Sequence, residues 1–418
     1  MQGVSIASTV QAQPRVSSTR VALRVQEKLS WPTVALTVGV LLVNYLPVLL
    51  FVPIGTALKF GIVIALLLVA WISGVRSGVL GGQSDRYAPY VLFLAYYIYV
   101  MISMIMNGKY VNNTLTVFGV VVMQPLIVFS SIMLRDRKRS FVIVMTWASG
   151  ILFVMMIYML IFRGDFSDIR IGETYQNVNL YLGIFAVLLY SMESRRLWIT
   201  ILAKIISFGA IVLMLMVGGR ASVVSVFIVF VIQSFYLSKR KGIQLIILIV
   251  AVMFVFALWS QIEETRFFQR MTILASGDDS SKRIYLFTSA LELFKQNPLW
   301  GAGINAFPVF INKFEEGWYP HNIFLDILCS LGIVGFILFS SYIIYCIYEF
   351  IKYRNIIDNY NIQAFAVSMY ILITYQFVGE LVAAWMLYLA LGMSLPNTQI
   401  TMARITSGEP SSKDLNSA

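Results

Sequence analysis

The chain has 418 residues, of which 59% are hydrophobic and only 12% charged, with a net charge of +11 and a mean hydropathy of +0.80. A soluble domain averages about 25% charged residues. Half that share cannot clothe a water-facing surface of this size, so a soluble enzyme is excluded and the surrounding medium is lipid. The excess positive charge does not point to nucleic acid, because Lys and Arg fall in short clusters between apolar runs.

In chain order, residues 1–30 are polar and basic (Arg15, Arg20, Arg24, Lys28) and lack the apolar core of a signal peptide. They read as a short cytoplasmic tail. A membrane span needs about 20 mostly apolar residues. Runs of this kind lie near 32–52, 57–75, 88–106, 114–134, 141–162, 178–193, 197–217, 220–237, 243–259, 322–348, 362–379 and 381–396. They predict an all-α polytopic membrane protein with about twelve spans. Cys329 and Cys346 lie in one run. On one helix they would stand about 25 Å apart, so they cannot form a disulfide with each other.

Orientation follows from the basic residues of the short loops. The N-terminal tail, Arg135-Asp136-Arg137-Lys138-Arg139, Arg195-Arg196, Lys239-Arg240-Lys241 and Lys352 to Arg354 all fall on one side if spans alternate. That side is predicted to be cytoplasmic and to hold both termini, with residues 397–418 as the second tail. The opposite side then carries a loop at about 163–176 and a long one at about 260–320. Long loops are usually functional. The second holds a Gly-Asp-Asp-Ser-Ser turn (277–281), then a helix-like stretch from Lys282 to Gln296, stopped by Asn297-Pro298. Ile284, Phe287, Leu291 and Phe294 recur there at helical spacing, which predicts an interfacial helix, apolar side down. A stretch of this size and pattern cannot build an independent core.

Charge in or beside the membrane is costly, so each instance is a functional candidate. Arg220 follows Gly218-Gly219 at the outer end of a span. It reads either as an arginine snorkelling to headgroups or as a contact to a ligand admitted by the two glycines. Glu380, between the last two runs, reads as a cap of a re-entrant turn or as a supporting site residue. His321, the sole histidine, stands in Tyr319-Pro320-His321-Asn322 where the long loop returns to the membrane. It has two readings. One is an imidazole able to carry protons near neutral pH, beside a helix N-terminus that favours anions. The other is part of a helix start that Asn322 caps. Arg266, Arg270, Lys282 and Arg283 concentrate basic charge on the outer face, which suits a phosphate or pyrophosphate. Asp278-Asp279 reads as a solvated turn rather than a metal site.

These segments resemble a known family. Ser280-Ser281-Lys282-Arg283 to Leu293-Phe294, Asn297-Pro298-Leu299-Trp300-Gly301-Ala302-Gly303, Tyr319-Pro320-His321-Asn322 and Leu331-Gly332-Ile333-Val334-Gly335 are similar to the shared domain of O-antigen ligases and O-antigen (repeat-unit) polymerases. Gly218-Gly219-Arg220-Ala221-Ser222 resembles the small-residue–arginine segment of that family. The resemblance covers about 178–348, between N-terminal spans at 31–177 and C-terminal spans at 349–396. It implies a GT-C-like glycosyltransferase of the bacterial inner membrane, working without metal, cofactor or nucleotide sugar. The implied substrate is an undecaprenyl-pyrophosphate-linked oligosaccharide of an O-antigen, capsule or exopolysaccharide pathway. It further implies His321 as activator of the acceptor hydroxyl, and Arg220 and Arg283 as pyrophosphate ligands. No motif fixes the register of Arg266 and Arg270, which join them by position.

Within the family, a polymerase joins repeat units still on the lipid carrier, with a chain-length regulator as a possible partner. A ligase moves the finished chain onto lipid A core. The Trp-Tyr-Pro-His-Asn-Ile form and the modest loop favour the polymerase. A lipid-sugar transporter also has about twelve spans, but would gather its charges near the bilayer midplane rather than at one outer end.

Overall fold

The computed structural model describes residues 29–44, 56–76, 87–107, 118–163, 174–194, 196–237, 249, 278–312, 318–354 and 358–396. Among them 85% are helical and none is in a strand. In lipid every backbone polar group has to be satisfied within its own segment, and helices do this. The helices are α1 (Trp31–Asn44), α2 (Thr56–Arg76), α3 (Ala88–Met106), α4 (Gln124–Met133), α5 (Lys138–Arg163), α6 (Thr174–Tyr190), α7 (Leu197–Val217), α8 (Arg220–Ile232), α9 (Asp278–Gln296), α10 (Ala306–Phe310), α11 (Ile323–Tyr353), α12 (Asn359–Val378) and α13 (Trp385–Ser394). A π-helical turn, Gly119–Met123, leads into α4.

Five helices among the described residues are long and apolar enough to cross a membrane, and six shorter apolar helices accompany them. These match the predicted runs except the one near 243–259, which lies outside the described residues apart from 249, as do residues 1–28, 397–418 and Lys239-Arg240-Lys241. The lipid-facing surfaces are legible in the exposure pattern. Val91, Leu94, Ile98, Ile102 and Ile105 form one exposed stripe on α3, and Trp147, Ile151, Val154, Tyr158 and Ile161 form another on α5. Both repeat every three or four residues, the period of one helix face. Exposed apolar area of this extent does not persist in water.

Inside the bundle, aromatic rings and small residues set the packing. Phe93 and Tyr96 of α3, Phe339 of α11 and Tyr388 of α13 form a cluster with ring centroids 5.5–6.2 Å apart. Gly183 of α6 lies under the Tyr370 hydroxyl, where an added Cβ would come within 2.0 Å of the oxygen. Close approach at small residues is the usual device of membrane helix packing.

Two ends of the bundle can be told apart. At one end the Lys138 ammonium, 1% exposed, donates to Asn361 Oδ1 and to the Leu395 carbonyl. Asp358 caps α12 there, accepting from Asn361 N (2.8 Å), and Arg137 reaches Ser30 Oγ (3.3 Å). The start of α1, the basic Arg135–Arg139 cluster, the start of α12 and the end of α13 therefore share one end. Two members of that cluster, Arg135 and Lys138, are buried, and Lys138 is a structural tie rather than a solvated anchor.

The long loop carries a correction. The Gly-Asp-Asp-Ser-Ser stretch is not a separate turn, because α9 already begins at Asp278. Asn297-Pro298 ends the helix as expected. Leu286, Ala290 and Leu293 of α9 pack with Ala302, Ala306, Phe307 and Ile311 onto Cys329 of α11. This small core is thus completed by a membrane helix. Ile284 and Leu291, from the predicted apolar stripe, stay exposed on the other side of α9 with Tyr285. Both cysteines are free and buried.

Candidate functional site

The site is built where the loop re-enters the bundle, at the far end of α12 from the Lys138 contacts. Asn322 caps α11, its Oδ1 accepting from Phe324 N and Leu325 N, both at 3.0 Å. Its Nδ2 donates to the Gln376 carbonyl of α12 (3.0 Å), and the Tyr319 hydroxyl donates to the Val378 carbonyl (3.3 Å). The span from Asn361 to Val378 is 17 residues, or about 26 Å along a helix. That distance is close to the ~30 Å of a hydrocarbon core. The His321 turn and the Lys138 contacts are thus separated by about that length along α12.

His321 holds a left-handed backbone, φ 54°, and its ring lies 4.2 Å from that of Tyr319. Non-glycine residues in this region cost roughly 1–3 kcal/mol and concentrate at functional sites. Asn305 and Asn312 in the same loop also have positive φ, a conformation asparagine tolerates well.

Beside this turn is a small cleft, partly open to solvent, lined by Asn305, Trp318, Tyr319, Asp326, Ser330 and Glu380, among others. Glu380, the predicted supporting residue, lines this cleft together with Tyr319, two positions before His321. Asp326 is the residue that sequence reasoning missed. It is buried in the first turn of α11, accepting from Leu381 N (2.7 Å) and Ser330 Oγ (3.3 Å). The signal was present as a lone carboxylate in an apolar run, which is a candidate by default.

Arg220 opens α8 and is partly buried. Ser222, one half-turn on, is within hydrogen-bonding reach of Tyr370 on α12, whose hydroxyl donates to the Asn179 carbonyl (3.1 Å). Tyr370 and Gln376 are six residues apart on α12, about 9 Å. The arginine's helix start and the histidine's turn are therefore positioned by the same half of one helix. The glycines before Arg220 are used by the fold rather than left open for a ligand. Gly218, φ 87°, closes α7 with its N–H on Met214 O and Leu215 O, while a Cβ on Gly219 would meet the Asn179 side chain at 2.2 Å. Arg283 is partly buried on α9, which packs on α11. Arg266 and Arg270 lie outside the described residues.

Two motifs prove to be one structural unit. Gly332 (φ 66°, ψ −169°) breaks α11, freeing backbone groups on both sides of the break. The Pro298–Gly303 segment takes them up: Ala302 N donates to Cys329 O and Gly303 N to Ser330 O, while Ile333 N donates to Pro298 O, each at 2.9 Å. Tyr99 ties the joint with its hydroxyl on Leu331 O (2.8 Å) and Trp300 O (3.1 Å). The joint fixes the first turns of α11, and with them Asn322 and Asp326.

Residues 180–340 match the family model described as O-antigen ligase. The match runs from α6 into α11 and contains Arg220, Arg283, His321 and the glycine joint. Over these residues the chain is similar to the O-antigen ligase family. The family is one of membrane glycosyltransferases acting on lipid-linked polysaccharide, in keeping with the apolar helices. Comparison with curated proteins finds no match.

Proposed function

We propose that this protein polymerises undecaprenyl-pyrophosphate-linked oligosaccharide repeat units at the outer face of the bacterial cytoplasmic membrane. The observation that carries the reading is the position of the His321 turn. It lies inside the family domain, at the bundle end opposite the basic Arg135–Arg139 cluster, beside a cleft. Positive-inside orientation then makes the site extracytoplasmic, with both tails cytoplasmic. The position at one bundle end favours transfer over transport, for which a midplane site is the rule.

In the proposed reaction the His321 imidazole removes the proton of the acceptor hydroxyl as that oxygen bonds to the anomeric carbon of the donor sugar. The bond from that carbon to the pyrophosphate oxygen breaks, and undecaprenyl pyrophosphate leaves with the electron pair. Arg220 and Arg283, with Arg266 and Arg270, receive the growing negative charge, and the N–H groups opening α8 add to it. No metal or cofactor is assigned a role. The exposed Ile284, Tyr285 and Leu291 of α9 suit a helix lying in the headgroup region, apolar side down.

Reconstitution in lipid with an undecaprenyl-pyrophosphate repeat unit as the only substrate tests this. A ladder of lipid-linked oligomers is expected. The description of the matched family favours a second reading as a ligase, whose mark would be no ladder but transfer once lipid A core is added. Arg220→Lys is expected to slow the reaction roughly a hundredfold, because an ammonium cannot reproduce a planar two-donor fork. Near-normal turnover in that variant would make Arg220 a snorkelling residue.

A further inference from the structure

The loop joining α12 to α13 is held by side chains that the proposed chemistry does not use. Asp326 takes the Leu381 N–H at 2.7 Å, and Gln124 Nε2 takes the carbonyl of the same residue at 3.1 Å. Both side chains are buried, as is Leu381 itself. Gln124 stands directly after the π-helical turn Gly119–Met123. Such turns often mark functional places in helices. The backbone of one residue is thus gripped from two helices, at its N–H and at its carbonyl, and the residue before it is Glu380, which lines the cleft.

The chemistry of that cleft selects its ligand. Two carboxylates, Asp326 and Glu380, would repel a pyrophosphate. Carboxylates, the Asn305 amide and the Trp318 and Tyr319 rings suit a hydroxyl-rich sugar, whose O–H groups donate and whose C–H faces stack on aromatics. Both Asp326 oxygens are engaged within the protein, and Glu380 sits on the loop that Asp326 fixes.

We propose that Asp326 is a positioning residue that, with Gln124, holds the Leu381 backbone so that Glu380 receives hydroxyls of the acceptor sugar in this cleft. The assignment rests on the glycosyl-transfer reading above. It separates the two substrates in space: pyrophosphate on the arginines, acceptor sugar against the carboxylates.

The test uses the full-length protein in lipid, with the undecaprenyl-pyrophosphate repeat unit fixed as donor. The varied acceptor is the same repeat unit on a short, fluorescent prenyl pyrophosphate. Glu380→Gln is expected to raise the acceptor KM about tenfold with little change in kcat, the signature of lost ground-state binding. Asp326→Ala is expected to do the same, and the double variant to be no worse than Glu380→Gln alone, since coupled residues are not additive. Asp326→Asn keeps an acceptor for Leu381 N–H and a donor for Ser330, so it should return to within about threefold of wild type. If Asp326→Ala does not fold, Gln124→Met releases the carbonyl side of Leu381 and should raise KM in the same direction. Additive losses, or a fall in kcat at unchanged KM, would overturn the assignment while leaving glycosyl transfer intact. A wild-type protein inactive with every lipid-linked substrate would remove both.

Discussion

His321→Ala is expected to abolish product formation while the protein remains inserted and folded. A general base contributes about 10²–10⁴-fold, and the sole histidine leaves no second imidazole to take its place. The fold should survive because the turn is held by neighbours. Asn322 caps α11 and reaches α12, and the Tyr319 hydroxyl holds Val378 O. Backbone strain could confuse the result, since an alanine at φ 54° is disfavoured. His321→Asn removes that ambiguity, because asparagine accepts the left-handed conformation but carries no base. Loss of the oligomer ladder in both variants, with thermal unfolding close to wild type, is the expected outcome. An active Asn variant beside an inactive Ala variant would assign His321 to the turn alone. Activity in both would end the general-base reading.

The membrane helices were legible in sequence because lipid demands long apolar runs, and the C-terminal end of the loop helix because proline and asparagine punctuate backbone locally. Asn322 was legible as a cap for the same local reason. What stayed hidden depends on contacts between distant segments. Lys138 reads as one more cytoplasmic charge until Asn361 and Leu395 close around it. Asp326 pairs with a backbone N–H 55 positions away, and Gln124 with a carbonyl 257 away. Gly218 and Gly219 look like space for a ligand, yet one ends a helix and the other admits Asn179. Spacing alone cannot distinguish these uses, because a glycine required by packing and one required by a substrate look the same along the chain.

Gly332→Ala is expected to destabilise the protein by about 5 kcal/mol, the second large effect. At φ 66° and ψ −169° the backbone occupies a region essentially closed to side chains, which costs roughly 1–3 kcal/mol. A Cβ there would stand 2.4 Å from Leu299 O and 2.6 Å from Gly301 N, both backbone atoms that cannot swing aside. Relief requires the Pro298–Gly303 segment to move off α11. That breaks the bonds from Ala302, Gly303 and Ile333, each worth about 1 kcal/mol and more when left unpaired in a lipid-surrounded bundle. Because the joint sets the first turns of α11, activity should fall with stability rather than separately from it. Thermal unfolding in detergent measures the loss, with Gly61→Ala as the control, since nothing lies within 4 Å of a Cβ on that glycine. A Gly332→Ala protein as stable as the Gly61→Ala control would mean the break in α11 is not held by the loop. His321 and Asp326 would then owe their placement to α12 and the Leu381 peptide alone.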